Sequence, residues 1–168
     1  NRDIAGDASD PESDSHLYSG YHGYWPSPRA TDFLDPENPI PRPRVESRIG
    51  TADDLHNLVG SAHGIGMKVL FDYVMNHVDL ESELYGSHPE WFATENGRFR
   101  NCGRENLWED QYWGTRCAFT DYLPPFEFET EDPARIAHTD AARSWSVADA
   151  IWWAKEFEID GYRLDAIK

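Results

Sequence analysis

Met67-Lys-Val-Leu-Phe-Asp-Tyr-Val-Met-Asn-His77 is an apolar run with one aspartate at its centre. Its near-continuous hydrophobicity predicts a parallel strand covered on both faces. Just upstream, Thr51-Ala-Asp-Asp54 opens a helix. Thr51 suits the N-cap, and Asp53 and Asp54 lie in the first turn, where the helix dipole favours negative charge. Leu55, Leu58, Val59 and Ala62 form an apolar stripe at helical spacing, and Gly64 and Gly66 end the helix. Helix, tight turn and buried strand make half of a βαβ repeat.

Side chains alternate along a strand, so Asp72, Val74 and Asn76 share one face. A carboxylate in the middle of such a run is costly unless paired, which calls for a cation on a neighbouring strand. The closing stretch, Gly161-Tyr-Arg-Leu-Asp-Ala-Ile-Lys168, supplies one. It reads as a second strand, with Arg163 and Asp165 on one face and Tyr162, Leu164 and Ala166 on the other. The guanidinium beside Asp165 favours its ionised form. An ionised aspartate at the C-terminal end of a strand is the raw material of a nucleophile. On this segment alone, a purely structural ion pair explains the residues equally well.

Between the two strands, residues 78–130 show no sustained period, too long a stretch for an ordinary connection. They read as a small inserted domain. A helix follows from about Pro133 to Phe157, with Trp145, Ala148, Ile151, Trp152 and Phe157 as its stripe. Cys102 and Cys117 bracket a loop, which suggests a disulfide and an oxidising compartment; two free thiols are the alternative. Trp25, Trp91, Trp108 and Trp113 fall among polar loop neighbours, where exposed aromatic planes suit sugar faces but also serve to pin loops down. Residues 1–20 are acidic and have loop composition, while Tyr21-His-Gly-Tyr-Trp-Pro26 is an aromatic cluster without period. A net charge of −16 over 168 residues argues against nucleic acid or an anionic membrane surface as partner, and no apolar run reaches membrane-spanning length. The sum is an α/β chain: part of a (β/α)8 TIM barrel, with polar groups gathered at one rim. Such an excerpt, taken alone, would expose sheet edges and is expected to be poorly soluble or molten.

Three blocks in order now resemble the α-amylase family of glycoside hydrolases, glycoside hydrolase family 13. Tyr21-His-Gly-Tyr-Trp25 resembles the aromatic loop after the second barrel strand. Asp72-Tyr-Val-Met-Asn-His77 resembles the D-x-x-x-N-H block of the third strand, and Gly161–Lys168 the G-x-R-x-D block of the fourth. The resemblance implies a slice from the loop after the second strand to the fourth strand. Residues 1–77 would then belong to the catalytic barrel with an acidic and aromatic loop, 78–130 to an inserted domain B, and 131–168 to the barrel's continuation. It also implies roles. Asp165 would be the nucleophile, and Arg163 would orient it while pairing with Asp72. His22, Tyr24, Trp25, His77 and Lys168 would contact the sugar or support the residues that do. Asn76 would be a ligand of a structural Ca2+.

Two departures qualify the likeness. Leu123-Pro-Pro-Phe-Glu127 stands where the family has L-P-D-L, so Pro125 replaces a calcium ligand and Asp121 or Glu127 would have to substitute. The family's acid/base Glu and third carboxylate lie on later strands, outside these residues. The expectation is a secreted or periplasmic, monomeric, retaining α-glucan hydrolase acting on starch or maltooligosaccharides. An α-glucosidase, debranching enzyme or transglycosylase would carry the same blocks. A transporter-associated, non-catalytic homologue would be expected to have lost the carboxylates kept here, and Arg163 among the carboxylates opposes a metal-hydrolase site.

Overall fold

The computed structural model describes residues 24–25, 43–45, 49–80 and 82–167, with the backbone alone at 24–25. Two short strands, β1 (Tyr24–Trp25) and β2 (Arg44–Val45), pair antiparallel, Tyr24 opposite Val45. Helix α1 (Ala52–Gly64) follows and starts on a reciprocal capping box. The Thr51 backbone N–H donates to the Asp54 carboxylate at 2.9 Å, and the Asp54 N–H donates to Thr51 Oγ1 at 3.2 Å. The Thr51 N–H and hydroxyl, both donating to the Asp54 carboxylate, hold it below its ordinary range. Val59 is the buried residue of α1; Leu58, placed in the apolar stripe by its spacing, is exposed.

Strand β3 (Leu70–Val74) runs parallel to β4 (Gly161–Asp165), with Asp72 opposite Arg163 and Val74 opposite Asp165. Helix α3 (Ile136–Phe157) packs on one face of this pair. Val59, Tyr73, Trp153, Phe157 and Ile159 form the core there, and the rings of Tyr73 and Tyr162 meet at 5.2 Å. Among the described residues one face of the strand is covered: Tyr73 is buried, whereas Leu70 is 60% exposed and Asp72 lies open on the other face, which carries the charges. Asp160 ties the base of the unit together. It accepts from Lys68 Nζ at 2.7 Å and from the Val69 N–H at 2.9 Å, and meets His63 Nε2 at 2.8 Å. Those bonds hold its carboxyl far below the usual range.

The buried face of α3 also differs from the expected one. Ala142, Trp145, Ser146, Asp149, Trp153 and Phe157 face inward, while Ile151 is 48% exposed and Trp153 replaces Trp152 as the fully buried tryptophan. Two polar members conceal that stripe. Asp149 is accommodated because Tyr73 donates its phenolic O–H to Asp149 Oδ2 at 2.8 Å. Burial nevertheless pushes its carboxyl up to about 7, against the Tyr73 bond that favours the charge.

The stretch between β3 and α3 holds a short helix, α2 (Glu83–Ser87), a 3-10 turn (Pro89–Trp91) and isolated β-bridges that include His77 to Pro125 and Asn101 to Ala118. Val78, Leu84, Trp91, Phe92 and Phe126 bury themselves against Ala142 and Trp145 of α3, so this stretch shares a core with that helix. Trp91 is thereby a core residue and not a sugar-facing loop tryptophan. Farther out, Cys102 and Cys117 form a disulfide, with Leu107, Trp113 and Phe119 packed around it. Arg135, at the start of α3, fastens the segment down. Its Nε donates to Glu127 Oε2 at 2.5 Å, and its Nη2 donates to the Glu90 and Phe92 carbonyls at 3.1 and 3.3 Å. Among the described residues no helix is long and apolar enough to cross a membrane.

Candidate active site

The open face of the β3–β4 pair brings together the charges picked out by spacing. Arg163 Nη1 donates to both oxygens of Asp72, at 2.8 and 3.0 Å, and meets Asp165 Oδ1 at 2.9 Å. The parallel register causes this, since Asp72 and Arg163 are direct partners and Asp165 lies two residues farther along the same face. The Asp72 bonds, then the charges of Asp165 and Asp72, raise the guanidinium pKa further. The Arg163–Asp72 contact fixes the orientation of both side chains. Asp165 is thereby fixed at the C-terminal end of its strand. Ala166 follows with φ of 55°, a left-handed conformation costing about 1–2 kcal/mol, so the chain turns off the strand immediately after Asp165.

Asn76 and His77 leave the corresponding end of β3, where parallel α/β folds gather their ligands. Asn76 Nδ2 lies 3.3 Å from His77 Nδ1. The His77 ring meets Phe119 edge-on at 5.5 Å. Phe119 in turn stacks on Trp108 at 5.6 Å. This aromatic path is absent from the sequence reading: Phe119 lies far from His77 along the chain and belongs to no periodic pattern. His22 and Lys168 lie outside the described residues. Tyr24 and Trp25 are placed only as strand β1.

Pro125 and the carboxylates near it bear on the expected calcium ligands. The Phe126 N–H donates to the Asn76 carbonyl at 2.9 Å, so Pro125 does stand beside the end of β3. Asp121, however, is held by Arg104, and Glu127 by Arg135. Among the described residues no three His, Cys, Asp or Glu side chains lie together as a metal site. Arg104 and Arg135 thus engage the two carboxylates that would substitute for the ligand replaced by Pro125.

Comparison with known proteins agrees with this arrangement. Residues 43–168 match the model of the alpha amylase catalytic domain. A cyclomaltodextrin glucanotransferase of Geobacillus stearothermophilus is 30% identical over 164 residues, covering 93% of this chain and 20% of that protein. A probable oligo-1,6-glucosidase 3 of Bacillus subtilis is 26% identical over 134 residues, covering 73% of this chain and 24% of its own length. Among solved structures, the alpha-amylase of Geobacillus thermoleovorans, complexed with acarbose, superposes with a TM-score of 0.55 at 26% identity, covering 74% of this chain and 24% of that one. The chain thus spans about a fifth to a quarter of the length of these three proteins, and its helices and parallel strands are part of a TIM barrel. It belongs to the alpha-amylase family of glycoside hydrolases.

Proposed function

We propose that this chain carries the nucleophile of a retaining α-glucan hydrolase that cleaves α-1,4 bonds, and that the nucleophile is Asp165. One observation carries the reading: a single guanidinium nitrogen, Arg163 Nη1, bonds Asp72 on one side and Asp165 on the other. Asp72 fixes the arginine, and the arginine presents the Asp165 carboxylate at the rim. In the first step an Asp165 oxygen attacks the anomeric carbon as the C–O bond to the leaving sugar breaks. A carboxylic acid elsewhere in the whole protein gives its proton to the departing oxygen. In the second step that group, now a carboxylate, takes a proton from water, whose oxygen displaces Asp165. His77 is assigned to hydrogen-bond the reacting ring.

On the same reading, residues 78–130 are the family's domain B, inserted after the third barrel strand, and β4 is the fourth. The Cys102–Cys117 bond supports a secreted or periplasmic location. Transfer to a sugar acceptor instead of water uses the same residues, and the match to a glucanotransferase makes product analysis necessary. The test is Asp165→Asn in the whole protein. Starch hydrolysis should fall by more than about a thousandfold, near 4 kcal/mol of barrel-borne transition-state stabilisation, with the circular dichroism spectrum unchanged. Wild-type turnover in that variant would refute the assignment.

A further inference from the structure

We propose that the disulfide-linked loop carries an additional α-glucan contact, in which the indole of Trp108 stacks on a glucose ring remote from the one at Asp165. The inference rests on the glucan reading above and names a subsite for it. Trp108 is 51% exposed, on a loop that is otherwise tightly built. The disulfide closes the loop, and Leu107 and Trp113 are packed against it. Asp110 Oδ1 accepts from the Tyr112 and Trp113 N–H groups at 2.9 and 2.7 Å. At Gly114 the backbone approaches so closely that a Cβ would stand 2.6 Å from the Asp110 carbonyl oxygen. A loop held this firmly keeps a presented ring in one orientation and lowers the ordering cost of binding.

The position of the ring points to a glucan. Trp108 stacks on Phe119, and Phe119 meets His77, so an aromatic path leads from the rim of β3 to the exposed indole. A pyranose ring offers a flat patch of C–H groups ringed by hydroxyls. A half-exposed indole with one apolar face and a polar N–H suits that surface. A glucan threading past His77 would reach Trp108 with a sugar beyond the reacting one. Short substrates would not extend that far.

The test compares Trp108→Ala with the wild-type whole protein on soluble starch and on a short aryl maltoside. The KM for starch should rise about tenfold, the effect of losing a ~1.4 kcal/mol contact. The kcat on starch, and both constants on the aryl maltoside, should stay unchanged, as expected when only uniform binding is removed. Trp108→Phe should restore most of the affinity, which a merely structural role would not require. Unchanged starch KM, or equal losses on both substrates, would overturn the subsite while leaving the hydrolase reading intact. A wild-type protein inactive on both substrates would overturn the hydrolase reading, and the subsite with it.

Discussion

Asp149→Asn replaces the buried carboxyl of α3 with a neutral amide of the same shape that still accepts from the Tyr73 hydroxyl. The Asp149 carboxyl is raised from an ordinary value of 3.8 to about 7, with desolvation the leading cause. Below about pH 4 this group is protonated both folded and unfolded, and the substitution should be neutral. Between about pH 4 and pH 7 the folded state binds the extra proton, so wild-type stability falls as the pH rises. Above pH 7 the penalty is complete. Three pH units at 1.36 kcal/mol each set a ceiling of about 4 kcal/mol. The variant should therefore match wild type near pH 4 and exceed it by on the order of 3 kcal/mol at pH 8. The other titratable groups turned toward this carboxyl are Tyr73, which donates to it, and Tyr162, which is pushed up to about 12, first by burial and then by the Asp149 charge, and so does not titrate in this window. Urea unfolding followed by tryptophan fluorescence at pH 4.5, 6 and 8 reads the effect, since Trp145 and Trp153 are buried on the same helix. A difference independent of pH, or a variant less stable at pH 8, would refute the account.

Four further outcomes follow from features described above. Arg135→Ala should cost about 3 kcal/mol, because it leaves the buried Glu127 carboxylate unpaired and frees the Glu90 and Phe92 carbonyls. Dialysis against a chelator should leave the melting temperature unmoved, and differential scanning calorimetry reads both. Cys102→Ser opens a loop with a sequence separation of 15 and should cost about 3 kcal/mol, seen as faster hydrogen exchange around Leu107 and Cys117. Ala166→Gly should relieve about 1 kcal/mol of left-handed strain, read from the shift in the urea midpoint.

Much of the fold is legible in the residues because local chemistry and tertiary packing agree. Thr51 and Asp54 announce a helix start and build it, and the Asp72–Arg163 pair follows from a carboxylate in an apolar strand that needs a partner. The disulfide follows from an isolated cysteine pair around a loop. What stays hidden involves polar groups doing core work. Ser146 and Asp149 interrupt the inward stripe of α3, so periodicity selects Ile151 and Trp152, which lie nearer the surface. Arg135 reads as an ordinary helix-start cation, and its grip on Glu127, Glu90 and Phe92 depends on a chain path that no local pattern encodes. Phe119 and Trp108 reach the rim for the same reason.

The pairing of β3 with β4 has a further consequence, for assembly. Two neighbouring strands of similar hydrophobicity can be aligned in several ways, and a shift of one residue turns every side chain to the opposite surface. Here such a slip would drive Arg163 and Asp165 into the apolar layer occupied by Trp153 and Phe157. Two desolvated charges make that misalignment prohibitive. The contact that orients Asp165 therefore also proofreads the sheet: the chain cannot settle in the wrong alignment and still keep its charges in the open.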